Sequence, residues 1–213
     1  MRMRKKKNLA PRMARCAPLW IKDPAQRRGA WLYGTTFDRL HLEIGCGKGK
    51  FTAETARSES DALLVAIERV PEAIVVAMER AASIKRANLL FIDMDAARIG
   101  EVFAPREIER IYLNFSDPWP SKRHEKRRLT SPGFLNLYKE ILSPGGEIRM
   151  KTDNTGLFDY SLEQFSACGY ELEQVTRDLH GGEISGIMTD YEEKFHEQGT
   201  PILSCVARWN GRE

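Results

Sequence analysis

The chain has 213 residues, 42% of them hydrophobic, with 33 Lys and Arg against 30 Asp and Glu for a net charge of +3. That composition supplies a sizeable core and excludes global disorder, and no apolar run approaches the roughly 18 residues of a membrane span. Four cysteines (Cys16, Cys46, Cys168, Cys205) form no C-x-x-C pair, and four histidines (His41, His124, His180, His196) show no ligand spacing. No metal is therefore expected, and a reducing cytoplasm is the expected compartment.

Residues 1–35 read as a basic N-terminal arm, with residues 36–213 as the folded domain. Arg2, Arg4, Lys5, Lys6, Lys7, Arg12 and Arg15 all precede the first acid, Asp23, and Gly29 and Gly34 close the segment. A solvated tail is the plain reading of one such run. A second run, Lys122 to Arg128, in a nearly neutral chain points instead to phosphate contact. The arm lacks the apolar core and Ser enrichment of a targeting segment.

From residue 36 onward strands and helices alternate. Leu40–Ile44 reads as a strand, Gly45 to Gly49 as a turn, and Phe51–Arg57 as a helix. Ala62–Ile67 is a continuous apolar run, as in a strand buried on both faces. Pro71 suits the first position of a helix carrying Ile74, Met78, Ala81 and Ile84 on one face, with Lys85 and Arg86 in its last turn. Asn88–Ile92 and Arg110–Phe115 are the next strands. Ser131 and Pro132 open a helix bearing Phe134, Leu137, Tyr138 and Ile141, which stops at Pro144-Gly145-Gly146. Glu147–Lys151 alternates like a strand near a sheet edge. Asn154–Cys168 is a helix with Phe158, Leu162 and Phe165 inward, ending at Gly169. The segment 180–188, with Gly181, Gly182 and Gly186, reads as a mobile loop, and Tyr170–Arg177 and Ile202–Trp209 close the sheet. Repeated β-α units make the fold class α/β, a doubly wound, mostly parallel sheet with helices on both faces.

Ligands of such sheets bind at the carboxyl ends of the strands. There the first strand runs into Glu43-Ile44-Gly45-Cys46-Gly47-Lys48-Gly49, whose glycines let backbone approach a ligand. A tight strand-helix turn is the plain alternative. Acids end the following strands as well: Glu68, Asp95 and Asp117. NAD and S-adenosylmethionine are the two candidates. The G-x-G-x-G spacing and the carboxylates favour S-adenosylmethionine, since a pyrophosphate is repelled by acids that a sulfonium and an ammonium tolerate. Cys46 is most simply small packing.

The fourth strand leads into Ser116-Asp117-Pro118-Trp119-Pro120, a corner stiffened by two prolines, with the second basic run leaving it directly. A placed carboxylate beside a cationic surface suggests chemistry on a nucleic acid. Asp117 has a plainer role available, that of capping the corner or orienting the cofactor. Asp153 could cap the helix that follows it, and Thr189-x-x-Glu192 fits a capping box. Trp119 and Tyr191 could stack on a base or pack internally.

Taken together, these stretches resemble the bacterial tRNA (guanine-N7)-methyltransferase family, as do Lys151-Thr152-Asp153 and Thr189-Asp190-Tyr191-Glu192-Glu193-Lys194-Phe195. The resemblance implies a class I methyltransferase sheet of seven strands with an antiparallel last strand. It also implies methylation of a guanine in the variable loop of tRNA, with S-adenosylmethionine as cofactor, and is compatible with a homodimer. By the same resemblance Glu43, Glu68, Asp95 and Asp117 contact the cofactor, beside the turn glycines Gly45, Gly47 and Gly49, and the charge that develops on the purine makes Asp117 the catalytic candidate. Asp153, Thr189, Tyr191 and Glu192 contact the substrate, and Arg123, His124, Lys126, Arg127 and Arg128 lie along the RNA. The family usually carries lysine after the second proline of the corner. Here that position is Ser121, with Lys122 the nearest cation to take its contact. Two other readings stand beside this one: a methyltransferase of exocyclic nucleic-acid amines, and an RNA-binding protein with a lapsed cofactor pocket.

Overall fold

The computed structural model describes residues 8–84, 87–181 and 186–211. The chain divides into two compact units, Met1–Phe103 and Ala104–Glu213. Their strands order as β3-β2-β1-β4-β5-β7-β6 in a seven-stranded sheet, where β1 is Arg39–Ile44, β2 Ala62–Ile67, β3 Leu89–Ile92, β4 Ile108–Asn114, β5 Leu142–Thr152, β6 Glu171–Thr176 and β7 Leu203–Arg208. The last strand runs antiparallel to both its neighbours, and the expected fold class is borne out.

In the first unit β1, β2 and β3 are parallel, with Leu42 opposite Val65 and Val65 opposite Leu90. All of β2 is buried, which is why its sequence is apolar without alternation. Helices α1 (Leu9–Arg15), α2 (Lys50–Ser58), α3 (Pro71–Ile84) and α4 (Ile99–Val102) complete the unit. Helix α3 turns Ile74, Val75, Ala77 and Met78 fully inward; burial of such a side chain contributes about 1.5–3 kcal/mol.

The segment expected as an arm carries specific contacts. Arg12 of α1 forks onto Glu79 of α3, Nε to Oε1 at 2.7 Å and Nη2 to Oε2 at 2.5 Å. Leu19 and Ile21 bond the backbone of Phe91, covering the otherwise open edge of β3. Trp31 has no exposed surface, donates to the Val102 carbonyl at 3.1 Å and meets the Phe103 ring at 5.3 Å. These contacts are non-local and leave no periodicity. Arg12 therefore serves packing, whereas Arg2, Arg4 and Lys5–Lys7 lie outside the described residues, as do Lys85, Arg86 and Gly182.

In the second unit β4 and β5 are parallel, with Arg110 opposite Glu147 and Asn114 opposite Lys151. Helices α5 (Pro132–Ile141), α6 (Thr155–Ala167) and α7 (Asp190–Glu197) connect the strands. Four local expectations change. Strand β5 begins at Leu142 and lies between β4 and β7, not near an edge. Its alternation arises because charged residues are paired inside the sheet: Glu147 accepts from Arg110 at 2.6 Å, Arg149 at 2.8 Å and Arg208 at 3.0 Å. Ser131 precedes α5 but its hydroxyl donates to the Lys126 carbonyl instead of capping the helix. Asn154, not Asp153, caps α6, accepting from the Leu157 N–H at 2.8 Å. Leu162 is only half-buried, and Leu157, Phe158, Ser161 and Phe165 form the inner face of that helix.

Candidate active site

At the carboxyl end of β1 the chain turns through Gly45, Gly47 and Gly49, with φ of 83°, 56° and 74°. The Gly45 and Cys46 N–H groups both donate to the Ile67 carbonyl, at 2.8 and 3.1 Å, fastening the turn to the end of β2. A Cβ on Gly49 would stand 2.6 Å from that of Ala77, so this glycine lets α2 approach α3. Around Gly45 and Gly47 a Cβ would meet nothing within 4 Å. Those two glycines thus form an open cradle of backbone that the packing of the unit does not require.

Carboxylates stand at or just past the ends of β1, β2 and β3. Glu68 accepts from the Gly47 N–H at 3.1 Å and from the Val70 N–H at 2.9 Å, bracing the turn. Glu43 is 2% exposed and accepts from the Thr52 hydroxyl at 2.6 Å. Asp95 is exposed and accepts from the Ala97 N–H at 2.9 Å. The buried Cys46 thiol is held protonated by desolvation and by Glu43 and Glu68, so it is no nucleophile. A ligand with a cationic end and no phosphate fits this setting.

In the second unit β4 ends at Asn114 and the corner follows. Phe115 and Trp119 have φ of 52° and 40°, the left-handed region that bulky residues rarely adopt. Such backbone costs about 1–3 kcal/mol per residue and persists only where its surroundings enforce it. Phe115 is enforced by its N–H donating to the Lys151 carbonyl at 2.9 Å, and by stacking on Tyr191 and Phe195 of α7 at 6.3 and 6.1 Å. Between the two strained residues stands Asp117, exposed.

The basic run forms a 3-10 helix, Lys122–Arg127. Lys122, Arg123, Lys126 and Arg127 are exposed and His124 is half-buried, its ring edge-on to Trp119 at 5.6 Å. Arg128 differs: it is half-buried and donates to the carbonyls of Pro118 and Trp119. Beside the corner, Thr189 and Glu192 form the expected capping box of α7. Tyr191 is 55% exposed and Asp153 is exposed, but Glu192 is fully buried, with both oxygens bonded within the protein. Its bond to Lys151 ties α7 to β5.

Residues 38–205 match the family described as "Putative methyltransferase". The chain is 43% identical to a tRNA (guanine-N(7)-)-methyltransferase of Bacillus subtilis (strain 168), over 98% of this chain and 99% of the relative. It is 46% identical to that of Geobacillus thermodenitrificans (strain NG80-2), over 97% of each. The chain belongs to the bacterial tRNA (guanine-N7-)-methyltransferase family. Its fold is also that of a 16S rRNA methyltransferase, KamB, with a TM-score of 0.63 at 14% identity over 82% of this chain and 89% of the other. A 16S rRNA (adenine(1408)-N(1))-methyltransferase of Catenulisporales acidiphilia, solved with its cosubstrate SAM, is similar over 96% of this chain and 92% of that one, at TM-score 0.58 and 11% identity.

Within this methyltransferase chain, the sequence reading missed His180 and Lys151 as partners of Glu192 and the inward turn of Arg128. Burial of His180 follows from tertiary packing and left no local mark. Arg128 had one: Glu125 is the lone acid of the run, and at three residues per turn Arg128 falls on the same side. Among the described residues no cluster of His, Cys, Asp and Glu could hold a metal ion, and no helix is long and apolar enough to cross a membrane.

Proposed function

We propose that this chain transfers the methyl group of S-adenosylmethionine to N7 of a guanine in the variable loop of tRNA, in the cytoplasm. The observation that carries the reading is near-full-length identity of 43% to a tRNA (guanine-N(7)-)-methyltransferase. The open glycine cradle, with carboxylates at or just past the ends of β1, β2 and β3, supports the cofactor.

Bound S-adenosylmethionine supplies a sulfonium-activated methyl group. In the first unit Glu43, Gly45, Gly47, Gly49, Glu68 and Asp95 would hold it. Glu43, which accepts from Thr52, offers charge to the cationic amino-acid end. Glu68 keeps the Gly47 backbone in place.

Guanine N7 carries an in-plane lone pair and no proton, so no general base is needed before transfer. The protein's tasks are alignment and charge. Asp117, set by the strained corner, accepts from the donor edge of the guanine and stabilises the positive charge that develops on the purine. Asp153, Thr189 and Tyr191 position the base, with the half-exposed Tyr191 ring as a stacking surface. Lys122 takes the contact that Ser121 cannot make, and Arg123, His124, Lys126 and Arg127 track the phosphates.

Single-turnover transfer by Asp117→Ala, with tRNA and S-adenosylmethionine saturating, is expected to fall about 10²–10³-fold. A wild-type rate would remove Asp117 from the chemistry.

A further inference from the structure

The seven residues Lys122 to Arg128 do not share one job. Arg128 sits one residue past the 3-10 helix and points back at the corner that precedes it. Its Nε donates to the Pro118 carbonyl at 3.1 Å and the Trp119 carbonyl at 3.3 Å, and its Nη2 donates to the Trp119 carbonyl at 3.1 Å. The guanidinium lies 4.2 Å from the centre of the Tyr160 ring, on α6. One side chain thus grips the carbonyls of the two residues directly after Asp117 and rests on a helix of the same unit.

A planar guanidinium can bridge two carbonyls with its edge while its face stacks on an aromatic ring; a compact ammonium has donors but no flat face to stack. The demand for such a brace is visible in the backbone. Trp119 is held at φ 40°, and it precedes a proline, which itself disfavours helical backbone at the preceding residue. Glu125 and Arg128 both act on Tyr160: its pKa is pushed up to about 12, first by burial and then by Glu125, against the pull of Arg128. Trp119 is fastened on its other side too, with Arg127 4.9 Å over its ring.

We propose that Arg128 is a positioning residue, which clamps the backbone after Asp117 against Tyr160 and so sets the Asp117 carboxylate for methyl transfer instead of touching tRNA. The exposed cations of the run bind the RNA, and Arg128 holds the corner from which they depart. This rests on the methyltransferase reading above, and it divides a single motif into a binding part and an aligning part.

The test compares Arg128→Ala, Arg128→Lys and Tyr160→Leu with the wild type, using unmodified tRNA. Two quantities are measured: tRNA affinity across a salt series, and the single-turnover rate with tRNA and S-adenosylmethionine saturating. Arg128→Ala is expected to lose about 10²-fold in rate, the scale of a small misplacement of a reacting group, while tRNA affinity and salt slope stay at wild-type values. Arg128→Lys recovers little of the rate, because the fork is lost. Tyr160→Leu, which keeps the cation and removes its platform, lowers the rate in the same direction and decides the matter if Arg128→Ala does not fold. A full rate at saturation for Arg128→Ala, with weaker binding and a salt slope shallower by about 1, would make Arg128 a phosphate contact and overturn the proposal. Wild-type rates in both Arg128→Ala and Tyr160→Leu would overturn it equally. A wild-type protein that transfers no methyl group would instead fail the parent reading.

Discussion

Lys151 and Glu192 meet in the interior of the second unit, with Nζ 2.8 Å from Oε1 and no part of Glu192 exposed. The same oxygen lies 2.8 Å from His180 Nε2, and Oε2 accepts from the Thr189 N–H at 3.1 Å. Lys151 also donates to the Ile187 carbonyl at 2.9 Å. One carboxylate therefore joins β5, the segment before α7 and α7 itself. That helix carries Tyr191 and Phe195, which stack on Phe115 at the corner.

Removing a partner from a buried pair leaves an uncompensated charge. Glu192→Ala is expected to destabilise the protein by about 3–5 kcal/mol, measured by urea denaturation. Lys151→Met combined with Glu192→Leu is expected to cost less than the Glu192 change alone, since no charge is then stranded.

The glycine turn contains two kinds of glycine. Gly49→Ala would place a Cβ 2.6 Å from Ala77 at φ +74° and is expected to cost about 2–4 kcal/mol, read as a fall in melting temperature. Gly47→Ala meets open space. It should cost about 1–2 kcal/mol in stability, and its main effect should be on S-adenosylmethionine binding, read by calorimetry.

Glu68 braces the turn through two backbone N–H groups. Glu68→Ala is expected to weaken S-adenosylmethionine binding about 10- to 100-fold, with tRNA affinity unchanged. Equal loss of both affinities would mean that the residue supports the whole unit and not the cradle.

Glu147 gives a pH signature. Burial opposes its charge, but Arg149 and Arg110 outweigh burial and hold its pKa below the ordinary 4.5. The unfolded chain takes up this proton first. Stability from the network is therefore present above pH 4.5 and lost as pH falls below it, through the lowered folded value. Glu147→Gln is expected to be less stable at neutral pH and to show a shallower loss of stability in acid, by denaturation midpoints across that range.

Much of this was legible in the residues themselves. The apolar run 62–67 reads as a doubly buried strand, and Pro71, Gly169 and the Thr189–Glu192 pair marked helix ends where local chemistry decides them. The glycine spacing marked the turn after β1 for the same reason. What escaped was set by distant partners. Trp31 and Arg12 pack through contacts about 70 residues away in the chain. Charged residues of β5 mimic an exposed strand because their counter-ions sit on neighbouring strands. Arg128 reads as one more cation in a run; its spacing from Glu125 marks a side of the turn, but its partners are the carbonyls of the corner ten and nine residues earlier.

The central claim is tested most directly by incubating the purified protein with unmodified tRNA and methyl-labelled S-adenosylmethionine, then digesting the RNA and separating its nucleosides. Label is expected in 7-methylguanosine, mapped to a guanine of the variable loop. Label on an exocyclic amine, or no labelled nucleoside from an active preparation that binds tRNA, would contradict it.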